Sequence, residues 1–240
     1  MSRVFIGVGH GGKDPGAVAN GLRESDVNLV MALAMQKELE RHGVTVGISR
    51  TKDEDDSLTA EISKANAFKP DLAVEVHNNA GGGDGFEVYY QTNGYKSDSL
   101  ALAQAIEKQT IAIGQNSRGC KTRLNGNVDY FGWLRQVNCP AVLCEGVFLD
   151  NKTDILIIDT IEKQEAFGIA YAKAVLEFLK IAYIAEKKET ATTSSKMYGV
   201  VKQVVALSSK EQAENYASQL NAQSSDLNKE FYKVIEIVRD

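Results

Sequence analysis

The sequence predicts an α/β protein: a mostly parallel or mixed sheet flanked by helices on both faces, followed by a small C-terminal β-α-β module. Strand-like and helix-like periodicities alternate from residue 4 to about residue 183, as is typical of such folds. The run at residues 140–144 is apolar almost throughout, as expected of a strand covered on both faces. Large apolar residues are then absent between residues 185 and 196 and return beyond that segment.

Local signals predict the individual elements in chain order. Strands are predicted at residues 4–8, 44–48, 71–76, 85–91 and 140–144. Helices are predicted from Glu24 to residue 42 and over residues 58–68, 97–113 and 163–183. Ser57 and the two aspartates before it offer caps for the second helix, and Pro70 ends that helix. Residues 114–128 are predicted to be loop-rich, with a short element around Trp133.

The change in composition predicts two domains. Residues 1–184 form the main domain, residues 185–196 a polar linker, and residues 197–240 the small module. Two strands and one helix bury little surface. We therefore expect the module to pair with a second copy, giving a homodimer, or to dock on the main domain.

Composition and charge exclude several classes of function. The 240 residues carry a formal net charge of −5, which argues against a nucleic-acid groove because such grooves are basic. No apolar stretch reaches the roughly 20 residues of a membrane span, so no membrane insertion is expected. The N-terminus does not resemble a signal peptide, which predicts synthesis in the cytoplasm and a separate route to any target outside.

Chemically capable side chains come at the predicted carboxyl ends of strands, where open α/β sheets bind their ligands. His10 enters a glycine-rich turn after the first strand, and His77 closes the apolar run at residues 72–76. Glu24 opens the first helix, which the intervening turn returns toward His10. Two imidazoles and a carboxylate suit a catalytic zinc with one open position, and Glu145 after the buried strand is the candidate base.

The glycine-rich segment has one competing interpretation. Residues 7–13 match the glycine and lysine positions of a phosphate-binding loop that follows a strand. That motif also needs Ser or Thr after the lysine and a helix starting there, whereas Asp14 and Pro15 supply an acid and a turn. A phosphate loop would also leave His77 and Glu145 without a purpose, so the metal interpretation is favoured.

Four ordered motifs resemble the zinc-dependent N-acetylmuramoyl-L-alanine amidases that cut bacterial peptidoglycan. The motifs are Gly9-His10-Gly11-Gly12-Lys13-Asp14-Pro15-Gly16-Ala17, then Glu24, then His77-Asn78-Asn79-Ala80, then the segment at residues 140–151. The resemblance covers about residues 3–183. It implies that His10, Glu24 and His77 bind Zn²⁺ and that Glu145 is the general base and acid. Substrate contacts are predicted at three positions: Asn78, Asn79 and Glu87.

The tail resembles half of a peptidoglycan-binding repeat of the SPOR type, in residues 198–202 and 208–214. A wall hydrolase without an export signal, joined to a wall-directed tail, resembles a phage endolysin that reaches the wall through a membrane pore. An autolysin exported by another route is the close alternative. The hypothesis of a different class is a degenerate, non-catalytic protein that binds the cell wall or assembles on it.

Overall fold

The computed structural model describes residues 2–186. The strands are β1 (Arg3–Val8), β2 (Val18–Ala19), β3 (Leu22–Arg23), β4 (Thr45–Ile48), β5 (Leu72–Asn79), β6 (Phe86–Tyr90), β7 (Ser117–Lys121), β8 (Leu124–Asn125), β9 (Val128–Asp129) and β10 (Ala141–Phe148). The helices are α1 (Glu24–Arg41), α2 (Leu58–Phe68), α3 (Lys96–Ala112), α4 (Gly132–Gln136), the 3₁₀ turn Asp154–Ile157, and α5 (Ile161–Phe178). The predicted module at residues 197–240 lies outside the described residues, with its proposed dimer contact and nearly all of the predicted linker.

Six strands form one mixed sheet in the order β4-β1-β5-β10-β6-β7. The neighbouring pairs are parallel except for β10 and β6, which run antiparallel. Because β1, β5 and β10 are adjacent and parallel, their carboxyl ends meet at one edge of the sheet. The predicted fold class, a mixed sheet flanked by helices, is confirmed.

Helices cover both faces of this sheet. α1, α3 and α5 pack on one face over the larger apolar core, and α2 and α4 pack on the other over a smaller one. Ser57 caps α2 as the sequence indicated, because its side chain accepts a hydrogen bond from the Ala60 N–H. None of the described helices is both long enough and apolar enough to cross a lipid bilayer.

The structure corrects three predicted boundaries. β5 and β10 extend beyond their apolar runs, so His77 and Glu145 lie within strands rather than after them. The strands continue because polar residues at their ends still pair with neighbouring strands. The segment predicted to be loop-rich contains β7, whose sequence lacks the apolar alternation of a strand. α5 ends at Phe178, five residues before the predicted end at residue 183.

Candidate active site

Four elements bring the predicted site residues to one edge of the sheet. His10 follows β1, Glu24 is the first residue of α1, and His77 lies near the end of β5. Glu145 lies in β10, directly opposite His77 in the parallel β5–β10 pairing. Glu24 is 4% exposed and the two histidines are partly buried.

The three candidate ligands converge on one point. One ligand atom from each of His10, Glu24 and His77 can be chosen so that all three lie within 4.8 Å of one another. Glu24 Oε1 is 3.2 Å from His10 Nε2 and 3.0 Å from His77 Nδ1. These two ring nitrogens therefore face the shared carboxylate, and the opposite nitrogens face away from it.

The electrostatics of the protein without metal follow from this convergence. Burial raises the pKa of Glu24, but hydrogen bonds from His10 and His77 outweigh burial and hold this pKa well below its usual range. The hydrogen bond to Glu24 raises the pKa of His10. Burial lowers the pKa of His77, yet hydrogen bonds to Glu24 and Glu75 bring it well above the ordinary value. Glu24 thus interacts favourably with both imidazoles.

The donor set fits zinc. Two imidazole nitrogens and one carboxylate oxygen are the ligands that catalytic zinc sites use, with the remaining position left for water or substrate. In this chain they already point at one another from three different elements. To bind a divalent cation, both imidazoles must be unprotonated at the ligating nitrogen.

The backbone around His10 is built for this convergence. His10 itself has φ +63°, a left-handed conformation that costs a non-glycine residue energy and re-aims its side chain out of the strand direction. At Gly9, a Cβ atom would lie 2.2 Å from the His77 ring. The absence of a side chain at position 9 therefore lets the His77 ring lie across β1.

Arg50 joins the His10 turn to the start of α1. Its guanidinium, only 2% exposed, donates to the carbonyls of Val8, Gly9 and Ser25 at 3.2, 3.2 and 2.8 Å. Because Ser25 follows Glu24, one buried side chain fixes the backbone beside two of the candidate ligands. This role of Arg50 was not predicted, since an arginine after a strand gives no signal of it.

Glu145 lies beside the triad in a partly buried position. Burial, reinforced by the negative charges of Glu24 and Glu87, raises the pKa of Glu145 to about 8, although His77 acts in the opposite direction. A cleft of about 250 Å³ opens here. Its walls include His10, His77, Glu145, Leu58, Phe131 and Trp133.

The predicted substrate contacts are engaged within the protein. Asn78 is 3% exposed; its amide donates to Asn28 at 2.8 Å and accepts from the Val147 N–H at 3.1 Å. Asn79 donates to Glu87 at 2.9 Å. These bonds give both asparagines a supporting role around the site, and their contact with substrate stays a prediction.

Glu87 is 5% exposed and forms ion pairs with two basic side chains on the neighbouring strand. It accepts from Arg118 at 2.9 Å and from Lys121, and these two residues lie on β7. Its predicted contact with substrate also stays a prediction. The ion pairs of Arg118 and Lys121 were not predicted, because β7 was not predicted.

Two further carboxylates behind the histidines were also missed. Asp14 Oδ2 lies 2.8 Å from His10 Nδ1, and Glu75 Oε1 lies 3.3 Å from His77 Nε2. A signal for Glu75 exists in the sequence, because residues two apart on a strand share a face and Glu75 precedes His77 by two.

Three candidate metal ligands beside a partly buried carboxyl group, at the carboxyl ends of parallel strands, form an arrangement that metal-dependent hydrolases use. Residues 4–177 match the model of the N-acetylmuramoyl-L-alanine amidase family, and the chain belongs to that family.

The relatives agree with this assignment. The chain is 34% identical over 229 residues to the N-acetylmuramoyl-L-alanine amidase CwlM of Bacillus licheniformis, covering 94% of this chain and 83% of the relative. It is 34% identical over 204 residues to the endolysin of Bacillus phage SPP1, covering 82% and 75%.

A solved structure shows the same fold. The catalytic domain of CwlV, an N-acetylmuramoyl-L-alanine amidase from Bacillus (Paenibacillus) polymyxa var. colistinus, superimposes with a TM-score of 0.68 at 28% identity. The match covers 76% of this chain and all of that domain.

Proposed function

We propose that this protein hydrolyses the amide bond between N-acetylmuramic acid and L-alanine in bacterial peptidoglycan, with zinc held by His10, Glu24 and His77. The observation that carries the proposal is the position of Glu145, opposite His77 and beside three converging ligand atoms. Family membership supplies the substrate class.

When bound, zinc supplies Lewis-acid chemistry that polarises the scissile carbonyl and makes water more acidic. Glu145 takes one proton from the attacking water and passes it to the nitrogen of L-alanine as the C–N bond breaks. The position of Glu145 suits it to both halves of this transfer, because it lies opposite His77 and beside the three converging ligand atoms.

The hypothesis of a degenerate wall-binding protein is not favoured. Degeneration would show as loss of a ligand or of the base, yet all four side chains are present and meet at one place. We keep wall binding as a separate property to be measured in the same assays.

The test is mass spectrometry of purified peptidoglycan digested with the full-length protein. We expect new N-terminal L-alanine, loss of product with a chelator, and recovery when Zn²⁺ is returned. New reducing sugar ends, cleavage between peptide residues, or full activity in the chelator would overturn the proposal.

The biological setting is a further part of the proposal: an endolysin that accumulates in the host cytoplasm and reaches the wall through a membrane pore. The similarity to the SPP1 endolysin supports it. Expression in a bacterial host with and without a pore-forming protein tests it. Lysis only with the pore supports an endolysin, and wall cleavage without it supports an autolysin.

A further inference from the structure

Each candidate histidine ligand has a carboxylate on the ring nitrogen that faces away from Glu24. For His10 this is Asp14, 2.8 Å from Nδ1, and for His77 it is Glu75, 3.3 Å from Nε2. An imidazole that donates its N–H to a carboxylate presents its other nitrogen unprotonated. The two carboxylates therefore select His10 Nε2 and His77 Nδ1, the nitrogens that already face Glu24.

The two carboxylates lie in opposite environments. The Asp14 side chain is 68% exposed, whereas the Glu75 side chain is 2% exposed. Among the described residues, Glu75 Oε2 has no hydrogen-bond partner and no contact with solvent. A buried carboxylate with an unpaired oxygen is costly to fold. The roles given above to the three candidate ligands and to Glu145 do not account for this buried carboxylate.

We propose that Glu75 is the positioning residue for His77, fixing the tautomer and the ring orientation in which Nδ1 meets the metal. The inference rests on the proposed metal site. Asp14 makes the corresponding contact to His10, but water competes for an exposed carboxylate, so its contribution is small. Of the two carboxylates, the buried Glu75 is therefore the one that fixes its histidine, His77.

β1 makes room for this arrangement. Gly7 is paired in register with Glu75, and a Cβ atom at Gly7 would lie 2.0 Å from Glu75 Oε2 and 2.8 Å from its Cδ. Gly7 does not have the positive φ that would itself favour glycine. The requirement for glycine at this position is therefore the space that the Glu75 side chain occupies.

Glu61 is a second buried carboxyl group that interacts with Glu75. It is 4% exposed, it lies on α2, and its Oε1 accepts the Val8 N–H at 2.9 Å. Burial and the neighbouring Glu75 charge raise the pKa of Glu61 well above its ordinary value. Glu61 and Glu75 are therefore close enough to interact inside the protein.

Zinc affinity of the full-length protein, measured by competition with a chromophoric chelator, tests the proposal. We expect Glu75→Ala to weaken affinity about 10- to 100-fold, the range for loss of a residue that orients a metal ligand. Glu75→Gln should restore most of the affinity because its amide oxygen accepts the same N–H. Glu165→Ala, at an exposed position of α5, is the control and should leave zinc affinity unchanged.

Histidine ¹⁵N NMR of the zinc-loaded protein separates positioning from general damage to the fold. The wild type should show a His77 Nε2–H resonance that exchanges slowly with water, and Glu75→Ala should lose it while the His10 signals persist. Wild-type zinc affinity in a folded Glu75→Ala variant, or an unchanged His77 resonance, would overturn the proposal.

Gly7→Ala tests the same idea without altering either partner. The added methyl group should displace Glu75 and lower zinc affinity, and it should cause no further loss in a Glu75→Ala background. Fully additive losses would contradict the proposal. If the wild type cleaves the wall and binds zinc, but Glu75→Ala and Gly7→Ala bind zinc equally well, only the positioning role of Glu75 is overturned. A wild type that binds no zinc would overturn the proposed function as well.

Discussion

The two faces of the central sheet use the same strands for different purposes. On the face covered by α1, α3 and α5, the side chains of β1, β5 and β10 are mainly apolar, and Asn78 near the end of β5 is a polar exception. On the opposite face β5 and β10 begin apolar and end polar, as Ala73, Glu75 and His77 show along β5. Because alternate residues face opposite sides, every strand that carries a site residue is anchored by its other face. Substitutions on one face should therefore lower stability, and substitutions on the other should lower activity.

The largest expected effect is on the polar face. Glu145→Gln keeps the size of the side chain but removes the proton acceptor, so peptidoglycan cleavage should fall about 10²- to 10⁴-fold. Release of N-terminal L-alanine measures it, and zinc affinity should be retained. Glu165→Gln, at an exposed position of α5, is the matched control and should be fully active. Comparable activity in both variants would remove Glu145 from the mechanism.

The next effect is on the apolar face. Gly168 lies where α5 crosses α1, and a Cβ atom there would lie 2.0 Å from the Met31 carbonyl oxygen. Alanine is the better helix former by about 1 kcal/mol, yet we expect Gly168→Ala to lower the free energy of unfolding by about 1–3 kcal/mol, because backbone must move. Denaturant unfolding measures this change, with Gly94→Ala, which enters open space, as the control. Zinc affinity should not change.

The apolar pattern of the strands and helices explains which elements and site residues could be predicted from the sequence. Periodicity located five of the six strands of the main sheet and the four long helices, because the apolar residues of the cores follow it there. The four chemically distinctive residues were found because each lies beside a glycine turn, a helix start or an apolar run. β5 and β10 were predicted too short because polar residues such as His77 and Glu145 continue them.

The supporting residues could not be predicted in the same way. Arg50 and Asn28 act through backbone carbonyls and amides that come together only after folding. Glu75 shares a face with His77, but whether that face is buried depends on α2 and α4 packing over it. Such roles depend on contacts between segments that are far apart in the chain, and local sequence patterns do not predict these contacts.

A smaller effect concerns pH and the metal-free protein. The pKa of Glu145 is raised from 4.5 to about 8, so the folded chain binds this proton more tightly than the unfolded chain does. Stability should therefore fall as pH rises from about 4.5 to 8. In the chelator-treated protein, Glu145→Gln should remove part of this fall, and its melting temperature should exceed that of the wild type most clearly at pH 8. Parallel pH profiles for the two proteins would contradict the assignment of burial as the cause.

The smallest effect concerns a polar atom on the apolar face. The Tyr171 hydroxyl is fully buried and, among the described residues, has no strong hydrogen-bond partner; only the Cys144 thiol, a weak hydrogen-bonding group, interacts with it. Tyr171→Phe removes the oxygen without leaving a strong partner unsatisfied, so the free energy of unfolding should change by no more than about 0.5 kcal/mol. A loss above about 1.5 kcal/mol would mean that the hydroxyl makes a real hydrogen bond. Among the buried side-chain oxygens of residues 2–186, only Glu75 Oε2 would then lack a partner, on the face where the site lies.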